Sequence, residues 1–178
     1  MAFIVAGPKS DLLDTAIERY TSLTFPHAAG AATGTPADAL AALTINLDSA
    51  DESHPQLATN ESYVLAVHAD GAVLNAPTVY AALRGLESFS QLVRFSFTQK
   101  SYQVANAPWD ISDAPRFPHR GLMIDSARHF ETLESIRSII DSLPFAKLNV
   151  LHCKCSLVWF HARLLPTVDV CVLINVCW

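Results

Sequence analysis

Between Gly121 and His152 the chain runs strand, helix, strand, and this order limits the fold more than any other feature. Gly121 to Asp125 is apolar enough for a strand buried on both faces. Thr132 is placed to cap a helix carrying Leu133, Ile136, Ile140 and Leu143, and residues 147–152 form a second strand. Strands joined through a crossover helix lie parallel, and one such unit cannot bury its apolar faces alone. A closed barrel of eight units takes about 250 residues. The 178 residues here are therefore expected to hold the beginning of a barrel and to stop well before it closes.

The sequence ahead of that unit has a different rhythm. Leu13, Ala16, Ile17, Tyr20 and Leu23 share one face of a helix over 10–23, with Ser10 as its cap. Residues 26–36, rich in Ala, Gly, Thr and Pro, follow no period and read as a flexible surface loop. Strands are expected at 43–47, where apolar and polar residues alternate, and at 63–67. Asp70-Gly71 then turns the chain towards Val73-Leu74 in an antiparallel hairpin. A second helix over 77–93 presents Val79, Leu83, Leu86, Phe89 and Val93, with Pro77 in its first turn. Gly85 in its middle costs about 1 kcal/mol against alanine, and a close backbone approach to the sheet would account for it. Short strands at 94–98 and 101–104 complete the unit, and the polar, proline-rich stretch 106–118 reads as a linker. The elements make an α+β N-terminal domain, helices on a mostly antiparallel sheet, followed by one βαβ unit; the family resemblance given below implies that this unit opens an incomplete (β/α)8 TIM-barrel fragment.

Composition removes several function classes. A formal net charge of -5 provides no basic surface for a phosphate backbone, so nucleic acid is not an expected partner. No stretch of about twenty apolar residues is available to span a bilayer. The apolar run at residues 2–6 is too short for a signal-peptide core and has no basic segment before it, so either the protein is cytosolic or its N-terminus is incomplete. Cys153, Cys155, Cys171 and Cys177 all fall in the last 26 residues. Their C-x-C and C-x5-C spacings match no common tetrahedral site, so neither a metal nor a cofactor is expected.

Three separated stretches resemble the family 20 β-N-acetylhexosaminidases in order and spacing. They are NESYVLAVHADGAVLNAPTVYAALRGLESFSQLV at 60–93, RFPHRGLMIDSARHF at 116–130 and KLNVLH at 147–152. The resemblance implies a non-catalytic α+β domain over 1–115, the first βαβ unit of the catalytic barrel over 116–152, and a divergent tail over 153–178. It further implies a glycosidase that removes terminal N-acetylhexosamine from glycans and glycoconjugates with retention of configuration. The substrate's own acetamido oxygen attacks the anomeric carbon, a Glu donates the proton and a neighbouring Asp steadies the amide; this route is an exception to the two-carboxylate scheme. In the family that Asp-Glu pair lies on the fourth barrel strand and has no match here, so the 178-residue chain is expected to be inactive.

Arg128, in DSARHF, matches the family arginine that holds the 3- and 4-hydroxyls of the bound sugar, a task suited to the fixed fork of a guanidinium. Asp125, at the end of the first barrel strand, is expected to act as a structural acceptor, and Glu131 as a solvated charge beside a helix start. His152 matches the first histidine of the family's LNVLHWH and supports the neighbouring network; His129 is the weaker of the two histidines. Asn60-Glu61-Ser62 is a glycosylation sequon, meaningful on the secretory route. The family is lysosomal, vacuolar or secreted, and its full-length members can pair as homodimers. A non-enzymatic reading, with the first domain as a binding or dimer-partner module, is the alternative.

The resemblance stops at His152. Where the family continues Trp-His, this chain has Cys153-Lys154-Cys155, which can be encoded TGT-AAG-TGC. That string contains GTAAGT, a strong splice-donor sequence, after the first base of what would be the Trp codon. A retained intron would write such a tail; a frameshift or a genuine alternative C-terminus is the other source.

Overall fold

The computed structural model describes residues 2–27, 42–68, 71–126, 128–154 and 171–175, the last as backbone alone. The chain divides into two compact units, Met1–Arg116 and Phe117–Cys177. The loop expected over 26–36 lies, from residue 28 onward, outside the described residues.

The first unit is built on five strands: β1 (Ala2–Ala6), β2 (Ala42–Leu47), β3 (Tyr63–His68), β4 (Gly71–Ala76) and, late in the chain, a strand at Trp109–Asp113. Their order is β1, β2, β4, β3, then the late strand. β1 and β2 are parallel, β2 and β4 are parallel, and β3 runs antiparallel to both its neighbours. The sheet is thus mixed, with two parallel and two antiparallel pairings, not the mostly antiparallel one expected. The short apolar run at residues 2–6 forms β1, an edge strand of this sheet among the described residues. Helix α1 (Asp11–Thr24) returns the chain so that β2 runs alongside β1 in the same direction.

The β3–β4 hairpin is present, with His68 opposite Gly71. Ala69 and Asp70 therefore lie between the strands, outside the described residues, and Gly71 is the first residue of β4 with a φ of 158°.

Alternation within the strands turns Leu43, Ile45, Leu47, Tyr63, Leu65, Val67, Ala72, Leu74 and Ala76 to one buried face. Against it lies α2 (Val79–Leu92), buried continuously from Val79 to Glu87. Leu13, Ala16 and Tyr20 of α1 are buried where α1 packs on α2. Both caps are side-chain oxygens: Ser10 Oγ accepts from Leu13 N at 3.1 Å, and Thr78 Oγ1 accepts from Ala81 N at 3.1 Å. Because Thr78 is the cap, Pro77 precedes α2 and is not in its first turn.

Gly85 meets the sheet directly. A Cβ there would overlap Leu74 Cδ1 and lie 2.8 Å from Cδ2 and 3.1 Å from Cγ. Most polar groups buried in this core are matched: Arg84 Nε donates to Glu61 Oε2 at 2.8 Å, and Glu87 accepts from Tyr20 Oη at 2.9 Å and Gln91 Nε2 at 2.8 Å, while Thr24 Oγ1 is buried without a partner among the described residues. Burial first, and then the Glu87 charge, push the Tyr20 phenol far above its ordinary range.

Two expectations on the later strands fail. β5 (Val93–Ser96) and β6 (Ser101–Val104) do not join the main sheet; they form a hairpin of their own. It is fastened to the end of α1, where the Phe25 and Tyr102 rings meet edge-on at 4.9 Å and Tyr102 Oη both accepts from His27 N and donates to His27 O. The presumed linker at 106–118 contains β7 (Trp109–Asp113), which pairs with β3 and closes that edge.

In the second unit β8 (Gly121–Asp125) and β9 (Val150–Lys154) are parallel, connected through α3 (Leu133–Ser142) and a 3-10 turn at Leu143–Ala146. β10 (Cys171–Asn175) pairs antiparallel with β9. Thr132 caps α3, its Oγ1 accepting from Ser135 N at 3.0 Å. β9 begins three residues later than expected, because the 3-10 turn closes on Lys147 in a left-handed conformation. β8 is not buried on both faces: Leu122 is 39% and Met123 59% exposed. It is an edge strand among the described residues, and α3 can cover only one of its faces.

Candidate functional site

The chemistry-bearing residues of the second unit gather at one edge, the C-terminal ends of β8 and β9. Parallel strands finish on the same side, and the register sets Leu122 beside Leu151, Met123 beside His152, Ile124 beside Cys153 and Asp125 beside Lys154. Side chains alternate along a strand. Ile124, Leu151 and Cys153 therefore share one face, where all three are buried. Met123, Asp125, His152 and Lys154 share the other.

Three backbone bonds shape the rim. Ser126 N donates to Lys154 O at 3.0 Å, joining the two strand ends. Arg128 N and His129 N donate to Asp125 O at 3.3 and 3.5 Å, so the chain folds back immediately after β8. This turn raises Arg128 above the strand end with an exposed side chain. The Asp125 carboxylate, mostly covered, lies 3.7 Å from Lys154 Nζ. His152 is half-buried beside Met123, whereas His129 is exposed and Glu131 half-buried ahead of the α3 cap. Arg128, Asp125 and His152 thus occupy one strand-end region; Asn60 belongs to the first unit, on the loop entering β3.

A further pair, not foreseen from the sequence, holds the opposite ends of these strands. Arg120 N donates to Asn149 Oδ1 at 2.9 Å, Arg120 Nε to Lys147 O at 2.8 Å and Arg120 Nη1 to Phe117 O at 2.8 Å. Asn149 Nδ2 completes the clamp on Pro118 O at 2.8 Å. Both residues fall inside stretches quoted above, RFPHRG and KLNVLH, but no spacing rule links them.

The one Asp-Glu step in the chain, Asp51-Glu52, belongs to the first unit. Glu52 accepts from Ser10 Oγ at 2.6 Å and Leu12 N at 2.9 Å, which hold its carboxyl below the ordinary range; Asp51 is lowered by the Ser53 backbone and side chain. Glu52 secures the start of α1, Asp51 stays within its own turn on Ser53, and both are tuned away from proton donation. Among the described residues no three His, Cys, Asp or Glu side chains gather as a metal site, and no helix is long and apolar enough to cross a membrane.

Two family models match in succession: "beta-acetyl hexosaminidase like" over residues 5–92 and "Glycosyl hydrolase family 20, catalytic domain" over 117–156. The chain belongs to glycosyl hydrolase family 20. It is 41% identical to Beta-hexosaminidase 1 of Arabidopsis thaliana, over 85% of this chain and 31% of that protein. With Beta-hexosaminidase subunit beta of Mus musculus the identity is 40%, over 83% of this chain and 28% of the relative. This family 20 chain thus spans about a third of the length of the curated relatives it matches. Among solved structures it is similar to a Flavobacterium johnsoniae chitobiase, with a TM-score of 0.65, 27% identity, and coverage of 85% of this chain and 23% of the other. A Streptomyces plicatus β-hexosaminidase has the same fold at a TM-score of 0.62 and 20% identity, over 87% of this chain and 30% of its own.

Proposed function

We propose that these residues are the front part of a glycosidase that releases terminal non-reducing N-acetylhexosamine, with the first unit as its non-catalytic domain and β8-α3-β9 as the opening βαβ unit of a (β/α)8 barrel. The observation that carries this reading is the order of the two family matches, one on each side of the break after Arg116. Barrel active sites sit at the C-terminal ends of the strands. Arg128, Asp125 and His152 all lie at that end. In this reading the Arg128 guanidinium grips two adjacent sugar hydroxyls, while Asp125 holds the turn that presents it and His152 lines the same face.

The proton donor of the substrate-assisted route needs a pKa raised towards the working pH. The Asp51-Glu52 step is shifted the other way and lies in the first unit, so we assign hydrolysis to residues outside these 178, and the 178-residue chain alone is inactive. Pairing of full-length chains and a lysosomal, vacuolar or secreted destination belong to the same reading.

The test is turnover of p-nitrophenyl N-acetyl-β-glucosaminide. The purified 178-residue chain should show none above background, and turnover would overturn the assignment of its chemistry. A longer product that continues the family pattern should hydrolyse the substrate. In it Arg128→Lys should lower kcat/KM by about tenfold or more, since one charged hydrogen bond is worth about 1.5–3 kcal/mol. Unchanged kinetics would remove Arg128 from the sugar site.

A further inference from the structure

The chain contains one N-x-S/T sequence, Asn60-Glu61-Ser62, and the fold holds it in a suggestive way. Asn60 is exposed on the loop entering β3. Its Oδ1 accepts twice from Ser62, from the backbone N at 3.0 Å and from Oγ at 2.7 Å. The side-chain oxygen is thereby turned inward, onto the loop. Nδ2, the atom through which a glycan is attached, makes no hydrogen bond among the described residues.

The flanking groups fix this corner. The Asn60 carbonyl accepts from Thr78 Oγ1 at 2.6 Å, tying the loop to the start of α2, while Glu61 turns into the core to meet Arg84 at 2.8 Å. Consecutive residues thus point in opposite senses, the acid inward and the amide outward. A sugar on Nδ2 would displace none of these contacts.

We propose that Asn60 is an N-glycosylation acceptor. The donor is an oligosaccharide linked to a lipid through a diphosphate. Nδ2 forms a bond to the anomeric carbon of the first sugar as the bond from that carbon to the diphosphate oxygen breaks. The diphosphate leaves with the bonding electron pair, and Nδ2 gives up one proton to a base of the transferase. The inference rests on the secretory placement proposed above, and the experiment supplies that placement independently.

The full 178-residue chain, fused to a cleavable leader, is translated with microsomes, and only protease-protected, lumenal chain is scored. Wild type should shift in mobility and lose the shift on treatment with peptide N-glycosidase; deglycosylation in heavy-oxygen water should convert Asn60 to labelled Asp. Asn60→Asp keeps the Oδ1 acceptor while removing Nδ2, so it should leave folding intact and abolish the shift. Ser62→Thr should retain the shift. Lumenal wild type without modification, or an Asn60→Asp chain that is still glycosylated, would overturn the proposal. Modification of the fused chain together with a full-length native protein found outside the secretory route would refute only the secretory placement.

Discussion

Gly85→Ala separates two physical effects of opposite sign. Helix propensity alone favours alanine by about 1 kcal/mol at a mid-helix site. The structure opposes it. The new Cβ would stand 2.8 Å from Leu74 Cδ2 and 3.1 Å from Cγ, where ordinary contact begins at 3.4 Å, and would overlap Cδ1. Leu74 cannot retreat easily: it is fully buried on β4, which is hydrogen-bonded on both sides by β2 and β3. Forcing an extra methyl into such a core costs about 1–3 kcal/mol. The steric term falls at the upper end, because Cγ as well as the terminal methyls is too close, leaving a net loss of about 1–2 kcal/mol. At about 1.4 kcal/mol per tenfold, amides of α2 should exchange roughly tenfold faster under conditions where exchange follows opening of this unit. Hydrogen exchange read on α2 peptides suits a chain of two units, for which a single bulk transition is ill-defined. Leu74→Ala alone should cost about 2–5 kcal/mol. Adding Gly85→Ala to it should recover part of that loss, since the methyl enters the vacated space. If Gly85→Ala alone slows exchange in α2, the contact with Leu74 is not what selects glycine.

Three further outcomes are expected. Glu61→Ala should destabilise the first unit by about 3–5 kcal/mol, because it leaves the Arg84 charge buried without its partner, whereas Glu61→Leu with Arg84→Met should be much milder; equal losses in urea melts would discount the buried charge. Glu52 has a folded pKa below its ordinary 4.5, so its stabilisation of the α1 start is fully present above that value and is lost as pH falls through the lower folded value. An acid titration of helicity should show this loss in wild type and lack it in Glu52→Gln. Genomic sequence across codons 153 and 154 should contain a GT donor, and transcripts spliced there should restore Trp-His; absence of the donor would leave a frameshift or a genuine alternative C-terminus as the source of the tail.

How much could be foreseen depended on how local the controlling physics is. α1, α2 and α3 were legible because apolar spacing and a capping side chain act within a few residues, as at Ser10 and Thr132. β1 and β7 were not. β7 is an edge strand whose neighbours Trp109, Asp110, Ser112 and Asp113 are all exposed and only Ile111 partly covered, so it carries no alternation to read. Its partner β3 is more than forty residues earlier in the chain. The same non-locality hid the choice of β5 and β6 to pair with each other. At the strand ends, Arg128 drew notice only through the resemblance, since an exposed arginine after a strand has no pattern of its own. The Arg120–Asn149 clamp joins residues 29 apart through one backbone N–H and one carboxamide, and nothing in their types announces that pairing.

The register of β8 and β9 gives the change after His152 a structural consequence. Residue 153 stands beside Ile124 on the buried face, and residue 154 beside Asp125 on the open one. The family's Trp-His would therefore place an indole against Ile124 and an imidazole next to the Asp125 carboxylate. Here a buried thiol takes the first position, and a lysine 3.7 Å from Asp125 takes the second. A large aromatic replaced by a small side chain in a core costs about 3–5 kcal/mol when the site fails to collapse. The second unit should then be the weaker half of this chain, and Cys153→Trp with Lys154→His should slow hydrogen exchange in β8 and β9 while leaving α2 unchanged. Faster exchange in those strands would show that neighbouring side chains already fill the space, and that the face beside Ile124 is built for cysteine.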